Sequence, residues 1–447
     1  MLRLATMAEV LLFMSTAVAQ CGDPVPNTAQ DHCARAKASL DRGDVKGAIA
    51  EYDEAIRRDP EFAKAYYNRG TLLYSTAAND RAIADLSAAI RLNPRMPEAF
   101  INRGFIYQDA KGDSETAIAD FTAAIRIDPT FAKAYYLRGN SYRYGMFDGD
   151  KALSDYNEAI RLDPNYYQAY TERGCVLDDK GGSDKAIADY TVALRLNPKC
   201  ARAYICRAIA YSHRKEFAKA IADLDQAIRI DPKSDGAYLA RGEVYLVSGD
   251  NTKAIAQFNT LIGLNPTDAE ARWRRGSAYF LNNENDKALA DFNDSIRLNA
   301  NSAVAYVCRG SAYQKIGRHE KAMADFTRAI EIDRKNSLAY SGRGDEYHRR
   351  GEYGKAITDF TEAIRLGAKD AIVYYSRGVS YWSKGDYDEA FADMTEAIRV
   401  DPRYAAAYHA RGTLYRRKGD KTKADEDFAQ ATKLGYKAPT PKEKGRP

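Results

Sequence analysis

Twelve arginines recur along the chain at intervals of 34 or 35 residues, from Arg35, Arg69 and Arg103 to Arg377 and Arg411. A second column runs beside them, 16 or 17 residues further on: Glu51, Asp85, Asp120, Asp155, Asp189, Asp223, Asp291, Asp325, Asp359, Asp393 and Asp427, with Gln257 as the exception. A guanidinium is planar and forked, so it can hold an anion by two parallel hydrogen bonds. Two kinds of chemistry follow. The arginines could line a track for an anionic ligand, or they could be consumed by an internal ladder of ion pairs. An acid matched to eleven of the twelve arginines predicts the ladder. Other reactive side chains are sparse. His213, His319, His348 and His409 fall in different repeat periods. Asp178 to Asp184 (DDKGGSD) has a faint likeness to a calcium loop, but it lacks the alternating ligands and the closing Glu, and reads better as a turn between helices. There is no Gly-rich phosphate loop, no G-x-S-x-G and no H-E-x-x-H. These residues predict no enzyme, no cofactor and no metal.

The composition is 45% hydrophobic, 11% aromatic and 29% charged, enough to build a core. A length of 447 residues would ordinarily suggest about three domains. The 67 basic and 62 acidic residues nearly cancel, and the segment after Tyr436 carries most of the +5 excess. A nearly neutral array lacks the broad basic footprint that nucleic acid requires.

What positions the two columns is a pair of recurring strings. The first is A-Y-x-x-R-G-x-x-Y, as at Ala339-Tyr340, Arg343-Gly344 and Tyr347. The second is A-[IL]-x-D-[FY]-x-x-A-I, as at Ala356-Ile357, Asp359-Phe360 and Ala363-Ile364. Units begin at 29, 63, 97, 132, 167, 201, 235, 269, 303, 337, 371 and 405. Each string has the three- and four-residue spacing of one helical face. A Gly-Asp turn separates the helices at Gly43-Asp44, Gly249-Asp250, Gly385-Asp386 and Gly419-Asp420, the glycine taking the left-handed conformation and the aspartate capping the next helix. Proline after Asp59, Asn93, Asp163 and Asp401 stops the second helix. One such pair cannot bury its apolar face alone, so neighbours must stack.

At Tyr204, Tyr211, Ala220, Leu224, Ala227 and Pro232 the pattern resembles the tetratricopeptide repeat family, with Ala208 in place of the usual glycine. The resemblance covers about nine tenths of the chain. It implies an all-α fold, a right-handed superhelical solenoid of twelve helix-turn-helix units over residues 29–438. It also implies that the first helices line a concave groove that binds an extended polypeptide or protein. Positions 2, 5, 9 and 12 of each unit would then face the partner. They place Tyr67, Tyr74, Phe105, Tyr136 and Asn140 in the groove, then Asp178, Trp273, Phe280, Tyr375 and Trp382, and finally His348, Arg349, His409, Arg416 and Arg417. Exposed aromatics on such a face are expected anchors. An envelope glycan or an export-associated role is the alternative, since stacked aromatics with acids also suit a polysaccharide. The family's carboxylate clamp is not expected: Asn68 and Asn102 fit singly, but Glu98 stands where a lysine is needed. The first unit departs from the pattern at His32 and Ser39, and Ala300, Arg334 and Ala368 replace the terminal proline, which predicts looser bends there.

The N-terminus reads as a cleavable signal peptide over 1–19: Arg3, the apolar run Val10 to Ala19, and Ala17-Val18-Ala19 before a cut at Gln20. Ten apolar residues are too few to span a bilayer, so no transmembrane segment is expected. Residues 20–28 form a short segment before the array. Gln20 before Cys21 argues against lipidation. The reading is a bacterial periplasmic or secreted protein. Glu9 beside the apolar run keeps a cytoplasmic one as the alternative. In an oxidising compartment Cys21 and Cys33 should pair across their short Pro-containing loop. The resemblance brings Cys175 and Cys206 onto adjacent first helices, which implies a second bridge, with Cys200 the rival partner, Cys308 free and plain small-residue packing the alternative.

In the second helices two apolar residues seven apart face the next unit, as at Ile49 and Ile56 or Phe391 and Ile398; in the last unit they become Asp425 and Thr432. That wettable face predicts a capped, monomeric array. Residues 439–447, basic and without an apolar stripe, should be a disordered tail.

Overall fold

The computed structural model describes residues 28–436. The signal segment at 1–19, Cys21 and the tail at 439–447 lie outside them. The described chain holds 24 α-helices in twelve consecutive pairs and one π-helical turn, Ser141–Gly145, without a strand. The first unit pairs Ala29–Asp41 with Val45–Arg58, and the twelfth pairs Ala405–Arg417 with Lys421–Lys433. All twelve predicted unit boundaries fall at helix pairs. The chain divides between Ser234 and Asp235 into two bodies of six units each.

Within a unit the two helices pack through small residues. Ala48, Ala82, Ala117, Ala186, Ala220 and Ala356 are fully buried, as is the large side chain that follows each four residues later, such as Tyr52, Leu86 or Phe360. A Cβ at Gly174 would stand 2.7 Å from the Tyr190 ring, so glycine sets how closely the backbones meet.

The turn between the helices is made as the sequence implies at Gly43 and Gly249, whose φ values are 77° and 85°. Asp44 and Asp250 then cap the next helix by accepting from the Gly47 and Lys253 N–H groups. The second helix ends in an extended residue, as at Asp59 with φ −136° and ψ 93°. The looser bends expected without proline are not found at two of the three places. Asn299 (φ −140°, ψ 91°) and Asp333 (φ −133°, ψ 98°) keep the same geometry. Their side chains accept from the Asn301 and Lys335 N–H groups, the same bond that Asp59, Asn93, Asp163 and Asp401 make at the proline-containing bends. Only before Ala368 does the bend change: that helix ends at Arg365, and Gly367 closes it at φ 101°.

Asp425 and Thr432 are exposed, and among the described residues no helix follows Lys433. The chain instead turns back at Gly435 and lays Tyr436 on His409, ring centres 4.4 Å apart. Asp425→Ile with Thr432→Ile restores the apolar pair of an interior unit. Sedimentation of that variant should show end-to-end association beyond that of the native chain; a monomer at high concentration would contradict the capping role.

Candidate functional site

The arginine column is an internal ladder. Arg69 donates from Nε and Nη2 to the two Asp85 oxygens, both at 2.7 Å. The same fork recurs in units 3 to 6 and 8 to 12, for example Arg138 on Asp155 and Arg377 on Asp393. The aspartates are buried, Asp155 at 5% exposure. The bond to its acid raises each guanidinium's pKa, as for Arg377 with Asp393. Each guanidinium also lies over an aromatic ring on its own helix, such as Arg173 over Tyr170 at 5.4 Å. The third nitrogen does something the sequence pattern does not announce. Nη1 reaches the second helix of the preceding unit: Asp53 from Arg69, Ser87 from Arg103, Asn157 from Arg173, Asn293 from Arg309. One side chain therefore joins three helices. In the first unit Glu51 accepts from His32 at 2.7 Å with Arg35 further off at 3.6 Å, and in the seventh Arg241 donates to the Gln257 amide oxygen at 2.9 Å.

With the arginines engaged, the face shared by the first helices is the remaining surface of distinct chemistry. Neighbouring first helices are tied by side chains across it: Tyr74 to Asp109 at 2.7 Å, Asn102 to Thr71 at 3.0 Å, Ser141 to Gln108 at 2.8 Å. In the N-terminal body Tyr74 and Phe105 meet edge to face at 5.9 Å and stay half-buried. Tyr67 and Tyr136 do not stand free. Tyr67 is 5% exposed, its hydroxyl accepts from Asn102, and burial with nearby Glu98 pushes its pKa up to about 12. Tyr136 is 9% exposed under Tyr166, centroids 4.9 Å apart. Both support the face from behind.

The densest cluster lies on the first helices of units 4 to 6. Glu172 is 6% exposed and accepts from Arg143 at 2.7 Å, Tyr144 at 2.5 Å and Arg202 at 2.8 Å; Arg202 also donates to the Tyr144 hydroxyl. Arg143 reaches Asp179 at 3.1 Å, and Asp178 holds Ser183 at 2.6 Å with His213 at 3.1 Å. Arg143 and Tyr144 sit on the π-turn, closed by Met146 N–H to Ser141 C=O, which absorbs the extra residue of this 35-residue unit and re-aims both side chains. Burial and then Glu172 raise the Tyr144 pKa. The Cys175 and Cys206 sulfurs lie 3.4 Å apart in the same cluster, unbonded.

In the C-terminal body Trp273 is half-buried under the Arg274 guanidinium at 4.5 Å, and Phe280 carries the Lys315 ammonium at 4.4 Å. Tyr375 meets Tyr404 edge to face at 5.3 Å, and Trp382 meets Tyr387 at 6.4 Å. His348 bonds the Ser380 hydroxyl at 2.9 Å, and burial with adjacent Glu346 pushes Asp345 up to about 6. Beside these runs a row missed in the sequence: Val304, Leu338 and Ile372, at the second position of three consecutive units, are 44%, 64% and 58% exposed. Their 34-residue spacing was the available signal. Large aliphatic side chains exposed in a row are unusual on a surface with no partner.

Family models for the tetratricopeptide repeat match residues 171–235, 239–303 and 375–439, with related models at 36–76, 63–96, 110–143, 132–166, 303–336 and 344–385. The chain belongs to the tetratricopeptide repeat family, an all-α solenoid of helix pairs. Among solved structures it is similar to the APC/C hetero-tetramer Cut9-Hcn1 at 15% identity, TM-score 0.50, over 91% of this chain and 93% of that one. Yeast Tom70 gives 16% identity, TM-score 0.42, over 85% and 93%. A tetratricopeptide repeat protein from Parabacteroides merdae gives 24% identity, TM-score 0.48, over 55% and 97%. No curated protein sequence matches the chain. The repeats make it a protein-interaction scaffold, and no described helix is long and apolar enough to cross a membrane.

Proposed function

We propose that the chain is a non-catalytic scaffold that holds an extended polypeptide or a protein partner on the first-helix face, after export to a bacterial periplasm or exterior. The observation that carries this reading is the exposed apolar row Val304, Leu338 and Ile372 beside half-buried Trp273, Tyr375 and Trp382. The arginine column is largely consumed by its internal acid partners, so the apolar row left open is a part of the surface that a partner would cover. The signal-like segment at 1–19 supports export.

The test is capture from envelope extract on the immobilised full chain, against Trp273→Ala with Trp382→Ala. A buried aromatic anchor contributes about 2 kcal/mol or more, so partner affinity should fall at least about thirtyfold while helical content by circular dichroism stays unchanged. Equal capture by both proteins would move the site off this face. Polysaccharide rather than polypeptide in the eluate would replace the proposed partner with a glycan.

A further inference from the structure

We propose that Cys175 and Cys206 are a redox-active pair that a hydroperoxide converts to a disulfide, joining the first helices of units 5 and 6. This goes beyond partner binding, since it assigns a covalent chemistry to the chain. The geometry is that of two thiols already facing each other: the sulfurs are 3.4 Å apart across neighbouring helices, Tyr167–Asp179 and Ala201–His213. Bonding needs an approach of only about 1.4 Å, to the ~2.05 Å of a disulfide. The other described cysteines are placed differently, Cys33 lying buried in the core of the first unit. Cys308 has the Ser277 hydroxyl as its neighbour at 3.8 Å, and Cys200 precedes the Ala201–His213 helix as its cap residue.

The surroundings divide the work between the two sulfurs. The sulfur–sulfur contact with Cys206, aided by Arg143 and opposed by burial and Glu172, holds the Cys175 thiol below the usual thiol range. The same contact, together with burial, raises Cys206. Cys175 is the more acidic of the two thiols and so the proposed attacking group. It is 7% exposed, which suits a small oxidant. The Cys175 thiolate attacks one oxygen of hydrogen peroxide and the O–O bond breaks. The departing hydroxide takes a proton and leaves as water, and Cys175 becomes a sulfenic acid. Its negative charge is now gone, and with it the main cause that raised Cys206; Arg202 nearby favours the Cys206 thiolate. The Cys206 sulfur then attacks Cys175, the S–O bond breaks, and the hydroxide leaves with the Cys206 proton as a second water. Two thiols lose two electrons and one peroxide gains them.

The bond would lock the two helices that carry Glu172 and Arg202, and so fix the centre of the N-terminal face.

The test uses the full chain, reduced, exposed to hydrogen peroxide, then denatured in an alkylating agent and mapped by mass spectrometry. The expected product is a Cys175–Cys206 linked peptide lacking two hydrogens, reversed by dithiothreitol, with Cys200 and Cys308 alkylated. Cys206→Ser should stop the reaction at a Cys175 sulfenic acid that dimedone traps, and Cys175→Ser should leave neither product. A link through Cys200, dimedone labelling of Cys206 in the Cys175→Ser variant at the native rate, or two intact thiols after oxidation of the native chain would each overturn the proposal.

Discussion

Asp359→Ala should cost about 3 kcal/mol of stability, and adding Arg343→Ala should cost little more. Asp359 is 5% exposed and accepts both prongs of Arg343, at 2.7 and 3.0 Å. The guanidinium is itself sandwiched against Tyr340 and Tyr347, 5.6 and 5.7 Å from their ring centres. Removing the carboxylate leaves a cation in that place without its counter-charge. Breaking one partner of a buried pair typically costs about 3–5 kcal/mol, and the Arg343 side chain keeps 18% exposure, which puts this pair at the lower end. Once Arg343 is also gone there is no stranded charge. The double variant should then lie well short of the sum of the singles, a coupling of about 1–3 kcal/mol. Urea midpoints together with amide exchange in unit 10 would measure it, because a repeat array need not unfold in one step. Additive losses would mean that the two side chains stabilise the unit independently.

The ladder was legible because eleven of the twelve arginines have an acid 16 or 17 residues further on. The third arm of the fork was not. Its acceptors are Asp53, Ser87, Thr122, Asn157 and Thr191 in successive units, a column that changes residue type from unit to unit. The helix pairs were legible because the 34-residue period prints the same turn and the same buried positions twelve times. The bend geometry at Asn299 and Asp333 was not, because the Asp or Asn side chain that accepts from the N–H two residues on is present with or without the proline, and attention to the proline passed over it. On the shared face, position alone marked Tyr67 and Tyr136 as partner-facing. What buries them comes from the next unit or the residue just before it, Asn102 and Tyr166, and no helical periodicity counts that far. Glu172 was missed for a related reason. Its partners Arg143, Tyr144 and Arg202 occupy different positions in two other units, so no column points to them; the one trace was the odd length of unit 4.

Gly242→Ala should destabilise the seventh unit by about 2–3 kcal/mol, and Phe258→Leu in the same chain should recover part of that loss. A Cβ at Gly242 would stand 2.5, 2.7 and 3.1 Å from three atoms of the Phe258 ring. Real Cβ atoms do not approach so closely, so either the ring or the helix must move. The ring has little room, since Phe258 is fully buried against Ala254 and Ala278. Overpacking a filled interior costs about 1–3 kcal/mol, and a contact at 2.5 Å belongs near the top of that range. The sixth unit shows the compensated form: Ala208 takes the glycine position, Leu224 takes the aromatic one, and both are fully buried. Ala36 beside Tyr52 in the first unit shows that the approach is graded rather than all-or-none. Phe258→Leu alone removes ring atoms and should cost about 1–2 kcal/mol as a cavity. In the double variant the new methyl fills part of the space the ring vacates, so the two losses should partly cancel. Thermal or urea unfolding of the three variants decides it: a double variant as unstable as the sum would show that the new methyl is opposed by something other than the Phe258 ring.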